Sequence, residues 1–465
     1  MANDIDQMAE LHALLDPLMD SGVLSREECD ELCERLNEFL NAVRAPHIPN
    51  GESYWQHFQG LFDFKQHPQG KTPMNAANLC PEPKGLLELA NLLRLLYNRN
   101  VAQQTRMGEG ERAQQIRAAR SGLARALGLP PPAPNRTDLA IVRNASEGNN
   151  AISCGYRHWS TAERENVVLW KENHPTNLDT WQLRATWRRP ANDPLFDIRV
   201  VDFDSTMSDD IILERFLQRI DSRTRFVSFS ETANSTGFRI PEFVIRRIWN
   251  HVQNLNNCHV HIDGTMAWGA RAIDLLNLGC HSFTSSAHKW FLGPKETGIL
   301  YMHPDKVGNF TPSIFAYDYA INLRQWNNLP NDALRFELLG QRDDVNIITL
   351  AWTQMMWDAL EGRNPYQRVS DLAQHLKTEL RRHDWDLITP VDQNRSLGVV
   401  RVIAEPDDQD MSLYEWMYDV KNIAGSGGKT PDNKETFRLC PHIYNTLEDV
   451  NNAINGMNEW SESGK

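Results

Sequence analysis

Four short segments carry residue types from which a reactive site can be built. The first is Asn144-Ala145-Ser146-Glu147-Gly148-Asn149-Asn150, where an apolar run gives way to a helical pattern. Free amides at a helix N-terminus bind anions, and the same residues also make an ordinary N-cap. In the second, His259, His261 and Asp263 alternate, which puts all three on one face of a strand. Asp263 can hold a cationic ring nitrogen. Alternatively His259 and His261 are the HxH metal pair of a hydrolase, or the strand is merely solvated or satisfied in a core. The third is Ser285-Ser286-Ala287-His288-Lys289-Trp290, whose lysine lies 26 residues after Asp263. A lysine buried beside a pocket loses its charge readily and forms Schiff bases, whereas one in a surface loop is only solvated. Ser286 and His288 suit a phosphate. The fourth is Arg438 in FRLCPHI, whose guanidinium clamps a carboxylate with two bonds or makes a surface salt bridge.

The elements around these segments give them a frame. Seven short apolar runs alternate with helical stretches between 138 and 302: 139–142, 166–170, 198–203, 225–230, 259–263, 281–285 and 298–302. That alternation predicts an α/β domain with a mostly parallel sheet, which binds ligands at the carboxyl ends of its strands. Residues 4–44 read as a helical hairpin, with a capping box at Ser25 and Glu28 and with Cys29 and Cys33 on one buried face. Residues 46–84 are turn-rich, 85–97 and 110–127 read as helices, and PPPAP at 130–134 is a stiff connector. Beyond 330, helices are expected at 345–361, 366–383, 411–423 and 446–460, with strands at 397–403 and 437–443. The expected organisation is an N-terminal helical extension (1–72), a large α/β domain (73–320) and a small α+β domain (321–465).

Composition narrows the class. The chain has 465 residues and a net charge of −13, so non-specific binding to nucleic acid or an anionic membrane is disfavoured. Its seven cysteines include no CxxC pair, which points to free thiols in a reducing, cytoplasmic compartment. The acidic MANDIDQMAE start does not read as a signal peptide, and no apolar run reaches the ~18 residues of a membrane helix.

An anion loop, a strand-end Asp and a Ser-x-His-Lys on one α/β sheet form the constellation of a pyridoxal-phosphate enzyme. Further segments sharpen this: PMNAANLCPEP (73–83), VRNASEGNN (142–150), ENHPTNLDTW (172–181), SETANSTG (230–237), FELLGQRD (336–343) and RLCPHIYNTLEDV (438–450). In this order, with HIDG and SSAHKW between, they resemble the class V aminotransferase family of fold type I pyridoxal-phosphate enzymes. That family includes cysteine desulfurases, isopenicillin N epimerase-like proteins and C–S lyases. The resemblance implies a fold type I architecture with a seven-stranded sheet. It implies that Lys289 forms the aldimine with the cofactor and then moves the Cα proton. Asp263 would keep the ring nitrogen protonated, and His174 would stack on the ring. Ser146, the Glu147 amide, Ser286 and His288 would cradle the phosphate. Asn234 would contact the ring hydroxyl or the substrate. Arg438 would bind the α-carboxylate, with Asn75 and Arg342 also on the substrate side. A homodimer would carry Gln341 and Arg342 across its interface.

Three departures from the family pattern stand out. Met266 occupies a position that is commonly Gln or His, Gly340-Gln341 replaces Gly-Thr, and 421–437 contains no Cys. The last disfavours a cysteine desulfurase, which needs a mobile nucleophilic thiol there. The expected activity is Cα–H chemistry on an α-amino acid, as an epimerase or a C–S (β-elimination) lyase, with an aminotransferase as the alternative. Outside this class stand a metal-dependent hydrolase using His259 and His261 and a catalytically dead scaffold.

Overall fold

In the computed structural model each of the seven apolar runs is a strand of one sheet. After a two-residue strand β1 (Thr72–Pro73) come β2 (Leu139–Val142), β3 (Asn166–Trp170), β4 (Asp197–Val201), β5 (Thr224–Ser230), β6 (His259–Asp263), β7 (Ser282–Ser286) and β8 (Gly298–Met302). The structure describes all of the chain except residues 1, 66–68, 100, 102–108, 131–136, 161, 188, 190–192, 256, 313, 315–330, 338, 339, 341, 406–410 and 464–465. The PPPAP connector and Gln341 therefore fall largely or wholly outside the described residues. Across the sheet the order is β2-β8-β7-β6-β5-β3-β4. The pairs β7–β6, β6–β5, β5–β3 and β3–β4 are parallel, while β8 is antiparallel to both β7 and β2.

Every residue of β2, β3, β6, β7 and β8 is buried, as a sheet covered on both faces requires. Alternate residues of β3 enter different cores. Val168 and Trp170 share one with the helices Asp209–Leu217 and Glu242–Val252. Val167 and Leu169 share the other with Ala145–Gly155 and Pro175–Thr186. Helix Ala145–Gly155 sits so close to β7 that a Cβ on Gly148 would lie 2.0 Å from Thr284 Oγ1. Gly148→Ala is accordingly expected to lower stability by about 3 kcal/mol, the upper range for overpacking, measured by thermal or denaturant unfolding.

The N-terminal helices Ala2–Asp20 and Arg26–Arg44 pack on helices Glu109–Ala126 and Asp344–Ala359 and join the main core. The capping box is formed: Ser25 N donates to Glu28 Oε2 at 2.9 Å and Glu28 N to Ser25 Oγ at 3.3 Å. Cys29 and Cys33 are buried, and burial pushes both thiols up to about 11.

A second core lies in the C-terminal part. There β9 (Val400–Ile403), β11 (Ser426–Lys429) and β12 (Glu435–Leu439) form an antiparallel sheet ordered β11-β12-β9, while β10 (Ile423–Ala424) pairs in parallel with β1. Met74 is buried in this core, so the chain just after β1 is bound to the C-terminal part before Ala76, Ala77 and Cys80 enter the main core. This link brings Asn75 beside Arg438.

Two expectations about elements need correction. The turn-rich 46–84 stretch contains a helix, Glu52–Gln59, that buries Tyr54, Trp55 and Phe58. It is short and begins at Gly51 without a side-chain cap, so it leaves little periodic signal. The single helix expected at 411–423 is instead one α-turn, Leu413–Glu415, widening into a π-helix, Trp416–Val420. Trp416 Nε1 donates to Gly456 O at 2.9 Å, a tertiary bond that holds the widened turn against the last helix. No helix among the described residues is long and apolar enough to cross a membrane.

Candidate active site

The carboxyl ends of β2, β3, β5, β6 and β7 open on one cavity of about 320 Å³. Ser146, His174, Asn234, Asp263, Met266, Ser286, His288 and Lys289, all nominated from sequence, line it. They converge because each follows a strand of the same sheet and six of the seven strands point the same way.

At the β2 end, Asn144 caps helix Ala145–Gly155, its Oδ1 accepting from Glu147 N at 3.0 Å. Ala145 N donates to Ser286 Oγ at 2.9 Å. The Glu147 amide is thereby committed to the cap, and its carboxylate accepts from Arg143 N at 2.7 Å instead of facing the cavity. Ser146 keeps the free place at this positive helix end. β8 begins at Gly298 against this turn, where a Cβ would meet Ser285 O at 2.5 Å and Asn144 Cα at 3.1 Å. His288, across the cavity, has a buried Nδ1 with no partner, and burial beside Lys289 lowers its imidazole to about 4.

Asp263 ends β6 and is buried. Its Oδ1 accepts from Thr265 N at 3.0 Å and Thr265 Oγ1 at 2.5 Å, and its Oδ2 from Asn149 Nδ2 at 2.9 Å. Three donors thus converge on this carboxylate. His174 caps helix Pro175–Thr186, its Nδ1 accepting from Thr176 N at 3.2 Å and meeting Thr176 Oγ1 at 2.9 Å. Burial lowers its pKa against the opposing pull of Asp263.

The Lys289 side-chain amine makes no hydrogen bond or ion pair among the described residues. Burial pulls it down to about 8, against the opposing pull of Asp263. An amine is nucleophilic only when neutral, and this one is neutral above about pH 8 rather than above 10.5. Covalent uptake of an added aldehyde cofactor by cofactor-free protein should therefore accelerate with a midpoint near pH 8, read by stopped-flow absorbance.

Arg438 adjoins the cavity without lining it. It donates from Nη1 to Asn234 O and from Nη2 to Asn75 Oδ1, both at 3.0 Å, while its buried Nε has no partner. Directly across on β9 stands Arg401. Neither guanidinium pairs with a carboxylate among the described residues, an arrangement that is unfavourable without an anion nearby. Arg342 is placed elsewhere. Its Nη1 donates to Ile141 O at 2.6 Å while Glu337 Oε1 accepts from Ile141 N at 2.5 Å. The FELLGQRD segment thus satisfies the open edge of β2, and Arg342 is not at the cavity.

The metal reading of His259 and His261 does not hold. His259 Nε2 and His261 Nδ1 both meet Ser282 Oγ at 2.7 Å, and His261 Nε2 meets Asn149 Oδ1 at 2.8 Å. Among the described residues no cluster of His, Cys, Asp and Glu suits a metal ion.

Sequence reasoning missed Thr265, Asn149, Asn78 and Thr232. The Asp-Gly-Thr turn could have flagged Thr265, since an Asp side chain commonly accepts from the backbone two residues on. Nothing local marks Asn149, whose partners come from β6 and from the first turn of helix Pro175–Thr186.

Pyridoxal phosphate fits these residues. An anion site stands at a helix end, and an amine of lowered basicity and a carboxyl group face the same space. Two orphaned polar atoms, His288 Nδ1 and Thr232 Oγ1, belong to cavity-lining side chains.

Comparison with known proteins agrees. The family model described as aminotransferase class-V matches residues 81–452. Isopenicillin N epimerase of Amycolatopsis lactamdurans is 24% identical over 355 residues, covering 74% of this chain and 84% of that protein. The apo cysteine desulfurase of Thermococcus onnurineus NA1 superposes with a TM-score of 0.70 at 17% identity, over 90% of this chain and 99% of that one. A C-DES variant with glycine covalently linked to its PLP cofactor gives 0.68 at 18% identity, over 86% and 98%. At such identities these structures establish the fold.

Proposed function

The chain belongs to the class V aminotransferase family and is a pyridoxal-phosphate-dependent enzyme, and on that premise we propose that it is an epimerase or a C–S (β-elimination) lyase acting on an α-amino acid. One observation carries this choice. The 421–437 segment has no Cys, and Cys440 is fully buried on the strand end, its N–H donating to Met74 O at 2.6 Å. Burial also pushes its thiol up, which opposes a mobile, nucleophilic role.

The residues divide the work by position. Ser286, His288 and the Ser146 end of the helix would hold the phosphate, Asp263 would face the ring nitrogen, His174 the ring, and Asn234 the ring hydroxyl or the substrate. Met266 lines the same cavity but offers no hydrogen of its own to the ring. When bound, the cofactor supplies an aldehyde and an electron-withdrawing cationic ring. Lys289 Nζ, with its lowered pKa, takes the Cα proton and returns it. Arg438, steadied by Asn75 and the Asn234 carbonyl, binds the α-carboxylate through its unpartnered N–H. The same reading makes the enzyme a cytoplasmic homodimer.

An amino-acid panel in deuterium oxide with product analysis tests the choice of reaction. The expected result is Cα deuteration with inversion, or release of a β-substituent with ammonia and a 2-oxo acid. Amino transfer to an added 2-oxo acid as the main turnover, or persulfide carried on a cysteine of the protein, would overturn it.

A further inference from the structure

Behind Asp263 runs a chain of buried polar groups. His259 Nε2 lies 2.7 Å from Ser282 Oγ, and Ser282 Oγ lies 2.7 Å from His261 Nδ1. His261 Nε2 lies 2.8 Å from Asn149 Oδ1, and Asn149 Nδ2 lies 2.9 Å from Asp263 Oδ2. All of these residues are buried at the heart of the sheet. Asn149 Nδ2 also reaches Thr176 Oγ1 at 3.3 Å, the hydroxyl that meets His174 Nδ1.

The charge of Asp263 fixes every proton along this chain. An ionised carboxylate only accepts, so the Asn149 atom against it is the amide nitrogen. The Asn149 oxygen then faces His261, whose Nε2 must carry a hydrogen. His261 Nδ1 is left as an acceptor and takes the Ser282 hydroxyl hydrogen. The Ser282 oxygen in turn accepts from His259 Nε2–H. Both imidazoles stay neutral, since burial lowers His261 to about 4 and His259 well below its usual range. Reversing the Asn149 amide would set its oxygen against the Asp263 carboxylate, two acceptors with no hydrogen between them. At the far end, Thr265 occupies Oδ1 twice, whereas among the described residues Oδ2 accepts only from Asn149 and keeps a free lone pair.

We propose that Asn149, locked by His261 and Ser282, is the positioning residue that holds Asp263 with Oδ2 free for the ring nitrogen, and that it sets His174 through Thr176. This rests on the reading that Asp263 faces that nitrogen.

Reconstitution with pyridoxal phosphate labelled with ¹⁵N in the ring tests it. Wild type is expected to show a protonated ring nitrogen. Asn149→Ala should move that resonance toward the unprotonated position and weaken cofactor binding about tenfold or more, a loss typical of outer partners of a functional group. Its kcat should fall more than its KM changes. Ser282→Ala should shift in the same direction. His261→Gln, whose amide can still donate to Asn149, should stay closer to wild type than His261→Leu. A folded Asn149→Ala protein with wild-type ring resonance and affinity would overturn the proposal. If that variant does not fold, wild-type spectra in both Ser282→Ala and His261→Leu overturn it. A wild-type protein that binds no cofactor, or holds an unprotonated ring, would instead defeat the underlying reading.

Discussion

Lys289→Ala is expected to lose at least about 10⁴-fold in turnover while folding normally, the upper range for losing a positioned proton-transfer group. Two features of the structure make the loss specific. The Lys289 amine has no hydrogen-bond or ion-pair partner among the described residues, so truncating this side chain breaks no such bond within the fold. Burial, moreover, lowers its amine to about 8, which is costly for a charged group and poises it for proton transfer near neutrality. Cofactor should still bind without a covalent link, because Ser286, His288 and the helix end are untouched. Steady-state kinetics beside a thermal melt checks both halves. A variant within tenfold of wild type would contradict the assignment. A small exogenous amine restoring part of the activity would strengthen it, since the vacated space can admit one.

Asp263→Ala should cost about 10²–10⁴-fold in turnover, the equivalent of the ~3–5 kcal/mol lost when one partner of a buried ion pair is removed. Unlike Lys289, Asp263 is also woven into the fold. Its removal strands Thr265 N, Thr265 Oγ1 and Asn149 Nδ2. A buried donor left unsatisfied costs about 1–3 kcal/mol, so the melting temperature should fall as well. Asp263→Asn offers no easy rescue, because an amide nitrogen placed at Oδ2 would meet the Asn149 nitrogen. Kinetics and unfolding on both variants give the check. Near-normal turnover in Asp263→Ala would show that the ring needs no counter-charge.

What could be read from the sequence follows from how local each feature is. The seven strands appear as apolar runs because strands buried on both faces have continuous hydrophobic sequence. Lys289, Asp263 and Ser286 were legible because each lies at or just after the end of such a run. Alternation correctly put His259, His261 and Asp263 on one side of β6. It could not say that Ser282 of β7 and Asn149 of a distant helix would take up the imidazole nitrogens. The Arg342 guanidinium bonds the open edge of β2, a place fixed by strand order rather than by neighbouring residues. The π-helix at Trp416–Val420 likewise depends on a bond to Gly456, forty residues on, which no local period encodes.

The most direct test is the absorbance spectrum of the purified protein with added pyridoxal phosphate, before and after borohydride, followed by peptide mass spectrometry. A visible band that borohydride abolishes, with the reduced cofactor on the peptide carrying Lys289, is the predicted result. A colourless protein that takes up no cofactor, or a reduced adduct on any other lysine, would contradict the account.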